Sequence, residues 1–162
     1  QPGAWDATQG VLDDVLVADN TMQNVASPVT LWTKPGNPVG RVTITGLNAS
    51  GIYRSALSVE GWGDSPITHV VVRDVHLEFA GGGTAEMARQ TVKGPGVDAR
   101  PLPAWGVYAR NVENLTLEDV RLSLLADDQR PVIHAESVGR LVLDDVRVPP
   151  SSGPRSPGGC LC

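Results

Sequence analysis

The sequence predicts an all-β fold, a parallel β-helix (solenoid) of about five coils with one long loop insertion, and three observations carry that expectation. A short apolar motif recurs at nearly constant spacing. The core must be aliphatic, because 41% of the residues are hydrophobic and only 4% aromatic. Finally, 18 glycines and 13 prolines interrupt the chain wherever a long helix would have to run.

Each copy of the motif has an apolar residue, two variable positions, two apolar residues flanking one variable position, and then a small or acidic turn residue. The copies are Leu12, Val15, Val17, Asp19; Val39, Val42, Ile44, Gly46; Ile67, Val70, Val72, Asp74; Val112, Leu115, Leu117, Asp119; and Val138, Leu141, Leu143, Asp145. The anchors Val15, Val42, Val70, Leu115 and Leu141 are separated by 27, 28, 45 and 26 residues. The excess in the third interval falls on residues 81–103, rich in Gly and Pro and poor in strand pattern. Insertions that break a period map to loops, so this segment is expected to leave the solenoid.

A second short strand follows in several copies: Val29 and Leu31 after Val15, Leu57 and Val59 after Val42, Val132 and Ile133 after Leu115. Stacked coils pair equivalent strands in parallel and turn alternate residues into a shared apolar interior. Leucine-rich repeats require a Leu-dominated consensus, whereas the anchors here are mostly Val, and a β-sandwich has no reason to repeat the same residue classes. Asp74, Asp119 and Asp145 each precede a Val, and Gly46 takes their place in another copy. A turn-former is therefore expected there, not a row of carboxylates for metal or catalysis.

A chain of 162 residues holds one domain, expected over residues 1–148, with a disordered tail of linker composition at 149–162. Both cysteines, Cys160 and Cys162, lie in that tail and cannot staple the body; they do not form a C-a-a-X box. The chain opens at Gln1 without an initiator Met or a signal-peptide pattern and reads as a processed or truncated product. No stretch approaches the roughly 20 apolar residues that span a bilayer, so no membrane partner is expected. The net charge of -5 argues against nucleic acid, which needs clustered Lys and Arg, and any binding of an acidic polymer would need a local basic cleft.

Several segments carry a resemblance: Val15-Leu16-Val17 through Met22-Gln23-Asn24-Val25 to Pro28-Val29; Gly61-Trp62-Gly63-Asp64-Ser65-Pro66-Ile67; Phe79-Ala80-Gly81-Gly82-Gly83-Thr84; Leu102-Pro103-Ala104-Trp105-Gly106-Val107-Tyr108; and Asp128-Gln129-Arg130-Pro131. In order and spacing, over roughly residues 8–148, the chain resembles the C-terminal coils of glycoside hydrolase family 28, the polygalacturonase-like enzymes. The resemblance implies a right-handed parallel β-helix of the pectin lyase type. It also implies secreted or periplasmic hydrolysis of α-galacturonosidic bonds in acidic pectic polysaccharide, with inversion. That chemistry needs one carboxylic acid and one carboxylate base across the sugar ring. The family supplies them through Asn-x-Asp and Asp-Asp motifs, helped by Gly-His-Gly and Arg-x-Lys. Asn-x-Asp, Gly-His-Gly and Arg-x-Lys are absent from this sequence. In the family all four precede the coil that resembles Val15 to Val29. The chain is therefore expected to be a C-terminal fragment that buttresses catalytic coils and has no catalytic residue of its own; the alternative is a non-catalytic carbohydrate-binding or structural β-helix.

Three Asp-Asp pairs remain, Asp13-Asp14, Asp127-Asp128 and Asp144-Asp145, but sequence neighbours on a strand face opposite ways and do not flank one bond. His69, His76 and His134 show no metal-ligand spacing. Gly81-Gly82-Gly83-Thr84 lacks the Gly-Lys-Ser/Thr ending of a phosphate loop. No cofactor and no metal are expected. Asn48-Ala49-Ser50 and Asn114-Leu115-Thr116 match the glycosylation sequon. Trp32 and Lys34 are the expected substrate contacts: in the resembling enzymes the loop after Val29 to Leu31 borders the sugar cleft, where a ring stacks on sugar and an ammonium pairs a carboxylate. Truncation would uncover the first coil, Val15 to Leu31, so self-association through the N-terminal coil is expected, with Pro149-Pro150 closing the C-terminal side.

Overall fold

The computed structural model describes residues 8–95 and 98–149; most of the expected tail, with Cys160 and Cys162, lies outside the described residues. The chain is all-β apart from one short helix. Its strands are β1 (Val15–Gln23), β2 (Thr30–Trp32), β3 (Val39–Ile52), β4 (Leu57–Glu60), β5 (Ile67–Phe79), β6 (Val107–Leu124) and β7 (Ile133–Arg147), with α1 (Ala85–Ala88) between β5 and β6. Every strand pairing is parallel.

Two ladders share this sheet. In the long one, β1, β3, β5, β6 and β7 lie side by side, and the five motif anchors are direct partners: Val15 with Val42, Val42 with Val70, Val70 with Leu115, Leu115 with Leu141. In the short ladder, β2 pairs with β4, β4 with the opening residues of β6, and those with the opening residues of β7. Because β6 and β7 run through both, the seven strands form one sheet curled into a half-barrel.

The core is the inner face of that curl. Val42, Val70 and Leu115 form one buried row, Ile44, Val72 and Leu117 the next, and Leu47, Val75 and Val120 a third, facing Leu57, Val59, Val107 and Ala109 of the short ladder. Each fully buried aliphatic side chain contributes about 1.5–3 kcal/mol. The bend within each long strand falls on the motif's turn residue. Asp19, Asp74, Asp119 and Asp145 have φ between 46 and 56°, and Gly46 has φ of 61°. Asp tolerates the left-handed conformation better than most residues because its short carboxylate bonds to local backbone.

Between β5 and β6 the chain leaves the ladder through Gly81, whose φ is 78° and whose place a Cβ would contest with the Ala126 carbonyl. Phe79 and Trp105 meet edge to face at 5.6 Å where the excursion departs and returns. Thr84 caps α1 by accepting from the Met87 N–H. The segment then folds back over the outer face of the short ladder, burying Val92 and Leu102 against Ala56 and Tyr108. The expected excursion is thus partly a cover: Arg89 and Lys93 are exposed, while Arg100 is half-buried.

Burial fades toward the last strand. Leu115 and Leu117 are fully buried, whereas their row-mates Leu141 and Leu143 on β7 are 37% and 52% exposed. Leu117→Ala should therefore cost about 3 kcal/mol in chemical denaturation and Leu143→Ala less than about 1 kcal/mol; equal costs would contradict the layered core. Trypsin should cut after Arg89 and Lys93 before it cuts after Arg73 or Arg121. Early cleavage at Arg121, inside β6, would overturn the assigned register.

Candidate functional site

Buried charge is uncommon and marks where to look for chemistry. Here it concentrates on the outer face of the short ladder. Leu31, Val59, Ala109 and Ala135 form one row, and two positions either side of a strand share the opposite face. The outward rows are Thr30, Ser58, Tyr108 and His134, and then Trp32, Glu60, Arg110 and Glu136.

Glu60 ends β4 beneath the excursion, with its side chain only 2% exposed. Its Oε2 accepts from Arg100 Nη2 at 2.7 Å and from the Trp62 indole N–H at 2.9 Å. Burial pushes its carboxyl up, against the pull of the Arg100 charge and of hydrogen bonds from Trp62, Ser58 and Arg100. The other face of the site is open. Arg110 Nη1 donates to Glu136 Oε2 at 2.7 Å, while Glu136 Oε1 lies 3.1 Å from His134 Nε2 and 3.4 Å from the Tyr108 hydroxyl. The Arg110 guanidinium also lies 4.5 Å from the Trp62 ring centre, joining the two halves by a cation–π contact. Burial, followed by the Glu136 charge, pushes Tyr108 up to about 12, so it stays a neutral hydroxyl.

Strands about 4.8 Å apart put the backbones of Glu60 and Glu136 about 10 Å apart, with Arg110 between them. Inverting sugar hydrolysis uses two carboxyl groups roughly 6.5–9.5 Å apart, so a pair of Glu residues on one row invites that comparison. The environments argue against that use. Glu60 has no path to solvent, each carboxylate already has an arginine, and one face of Trp62 is covered. The arrangement neutralises charge and fixes a wall; it does not leave an acid and a base free to act on one bond.

Trp32 belongs to this same row, half-buried beside Glu60, and Lys34 lies two residues on, also half-buried, in the loop after β2. That loop is held firmly: Thr33, fully buried, donates to the Ser65 carbonyl at 2.8 Å and accepts from the Trp62 N–H at 2.8 Å, and Gly36 N–H reaches Ser65 Oγ at 2.7 Å.

The paired aspartates have separate structural partners. Asp13 accepts from the backbone N–H groups of Arg41 and Asp14, which hold its carboxyl below the usual range. Asp145 pairs with Arg147 at 2.8 Å. The Asp128 side chain is fully buried against Arg130, which grips it through Nε and Nη2 at 2.9 and 2.6 Å. It also accepts from Gly83 N–H, while Arg130 Nη1 reaches the Leu102 carbonyl, so one ion pair clamps both ends of the excursion. The three histidines sit in different rows, beside Asn114, Arg121 and Tyr108 respectively. Among the described residues, no group of three or more His, Cys, Asp or Glu could hold a metal, and no helix is long and apolar enough to cross a membrane.

Glu60, Trp62, Arg100, Arg110 and Glu136 escape sequence reasoning because the excursion separates Glu60 from Arg110. The usable signal was the residue directly after Leu31, Val59, Ala109 and Ala135, which is Trp32, Glu60, Arg110 and Glu136 in turn. Compared with known proteins, the chain matches no family model, no curated protein and no solved structure.

Burial alone would raise Asp128, but hydrogen bonds from the Arg130 side chain and from the backbone of Arg130 and Gly83 outweigh it and hold the carboxyl below its ordinary 3.8. A depressed folded value means stability that is present above the unfolded value and lost as pH falls through the folded one. Asp128→Asn should therefore destabilise by about 3 kcal/mol at neutral pH. That penalty should shrink below about pH 4. Urea titrations at several pH values measure it, and a penalty constant down to pH 3 would refute the clamp.

Proposed function

We propose that the chain is part of a right-handed parallel β-helix of about five coils, from a secreted or periplasmic enzyme resembling glycoside hydrolase family 28. In this reading it borders the cleft for an acidic pectic polysaccharide and leaves the acid–base pair to motifs elsewhere in the polypeptide. One observation carries the reading. The row Trp32, Glu60, Arg110 and Glu136 forms a wall whose two carboxylates are paired, Glu60 with Arg100 of the excursion and Glu136 with Arg110, and whose aromatic end, Trp32, stands beside Glu60. A sugar polymer needs such a platform beside its catalytic residues, where ring stacking orients the chain. Trp32 and Lys34 are the proposed contacts, the ring for a sugar face and the ammonium for a uronate carboxylate.

A second reading, a non-catalytic carbohydrate-binding or structural β-helix, draws on a shallow cavity of about 330 Å³ on the outer face of the long ladder. Asn48, Ser50, His76, Glu78, Arg121 and Ser123 line it, side chains able to bond sugar hydroxyls.

The hydrolase reading requires Asn-x-Asp, Asp-Asp, Gly-His-Gly and Arg-x-Lys, in order, upstream of Gln1 in the same polypeptide. In that protein Trp32→Ala should raise KM for oligogalacturonates about tenfold with kcat nearly unchanged, the mark of lost ground-state binding. Absence of the motifs sinks the hydrolase. Saturable calorimetric binding of oligogalacturonates by the 162-residue chain itself would then favour the binding module.

A further inference from the structure

We propose that two copies of this chain associate through the outer edge of β7, antiparallel and centred on Val142. The proposal is independent of the polysaccharide reading. Among the described residues β7 pairs only with β6, so the N–H and C=O groups along its other edge have no strand partner. An unguarded edge of this length is a template for another strand. Leu141 and Leu143 point along the rows of Leu115 and Leu117 but end them uncovered, at 37% and 52% exposure.

The occupant follows from the side-chain order of β7. An antiparallel second copy centred on Val142 sets Arg140 opposite Asp144 and Leu141 opposite Leu143, and the two-fold axis repeats both pairs. Directly opposed residues share a face. Arg140, Val142 and Asp144 lie on the outer face, so each dimer gains two Arg–Asp pairs outside. Leu141 and Leu143 lie on the inner face, so four leucines close the apolar rows inside. Arg140 and Asp144 are exposed and have no ion pair among the described residues, and Asp144 stands beside Glu118, a like charge that the partner's Arg140 would offset. The interface is isologous and therefore closes at two copies.

Sedimentation equilibrium of the 162-residue chain tests this. The unmodified chain should show a monomer–dimer equilibrium without larger species. R140D and D144R, both at exposed positions, should each weaken the dimer at least about a hundredfold through like-charge contact. The R140D/D144R double variant should regain it, and an equimolar mixture of the two single variants should form a heterodimer. Independently of any variant, backbone amides from Gly139 to Asp145 should exchange more slowly as concentration rises through the transition. A chain that stays monomeric, a dimer unaffected by D144R, or a double variant that fails to recover would each overturn the proposal. So would growth beyond two copies, which would indicate head-to-tail stacking of β7 on β1.

Discussion

Hydrogen bonding between parallel strands sets the distance between repeats, and the rest of the structure depends on that ladder staying in register. A slip by one residue would turn every Val and Leu of a strand from the interior to solvent. The register survives a bend in the middle of each long strand because the bend always falls on the same position. Asp19, Gly46, Asp74, Asp119 and Asp145 all take the left-handed conformation there, so successive strands turn together and the apolar rows continue across the corner. Where Asp gives way to Gly46, the space that a Cβ would need lies 2.5 Å from Asp19 Oδ1, so the two kinds of turn-former pack tightly against each other.

The excursion changes the electrostatics of the sheet it covers. An outward row of a solvent-facing strand can carry Glu and Arg at little cost, but a row placed beneath a loop must be paired internally. Glu60 and Asp128 show the two outcomes. Both are buried against an arginine. Asp128 also receives two backbone N–H groups and ends below its ordinary value, whereas Glu60 relies on side-chain donors and ends above it. The nearest cation is similarly close in each case, so the difference lies in burial, which prevails at Glu60, and in the backbone donors, which outweigh it at Asp128. One charged pair thus ties Gly83 to Leu102 at the two ends of the cover, and the other, carried by Arg100, ties its returning arm to β4.

A stack of repeats has two ends, and its cohesion is the sum of layers and the contacts between neighbours. The middle rows gain contacts from both sides. Those of β1 and β7 gain them from one, which is why Val15 and Val17 are only partly buried and Leu141 and Leu143 are open. Pro149 follows β7 and can stop its extension, yet a proline beyond a strand does nothing to cover the edge alongside it.

What the sequence determined by itself is the part governed by period: the all-β class, the five anchors, the turn residues and the place of the excess residues. Those features are local and repeat, so each copy corroborates the others. The resemblance to a hydrolase family and the role of Trp32 and Lys34 came from motif order and remain proposals. Only the tertiary structure decided that the interruption falls within a repeat, between β5 and its short strand at Val107. It also decided that the excursion folds back as a cover, and that Trp32, Glu60, Arg110 and Glu136 share one row. The row was hidden because its members are aligned by strand pairing across unequal intervals, and pairing across a long insertion leaves no periodic trace in the chain.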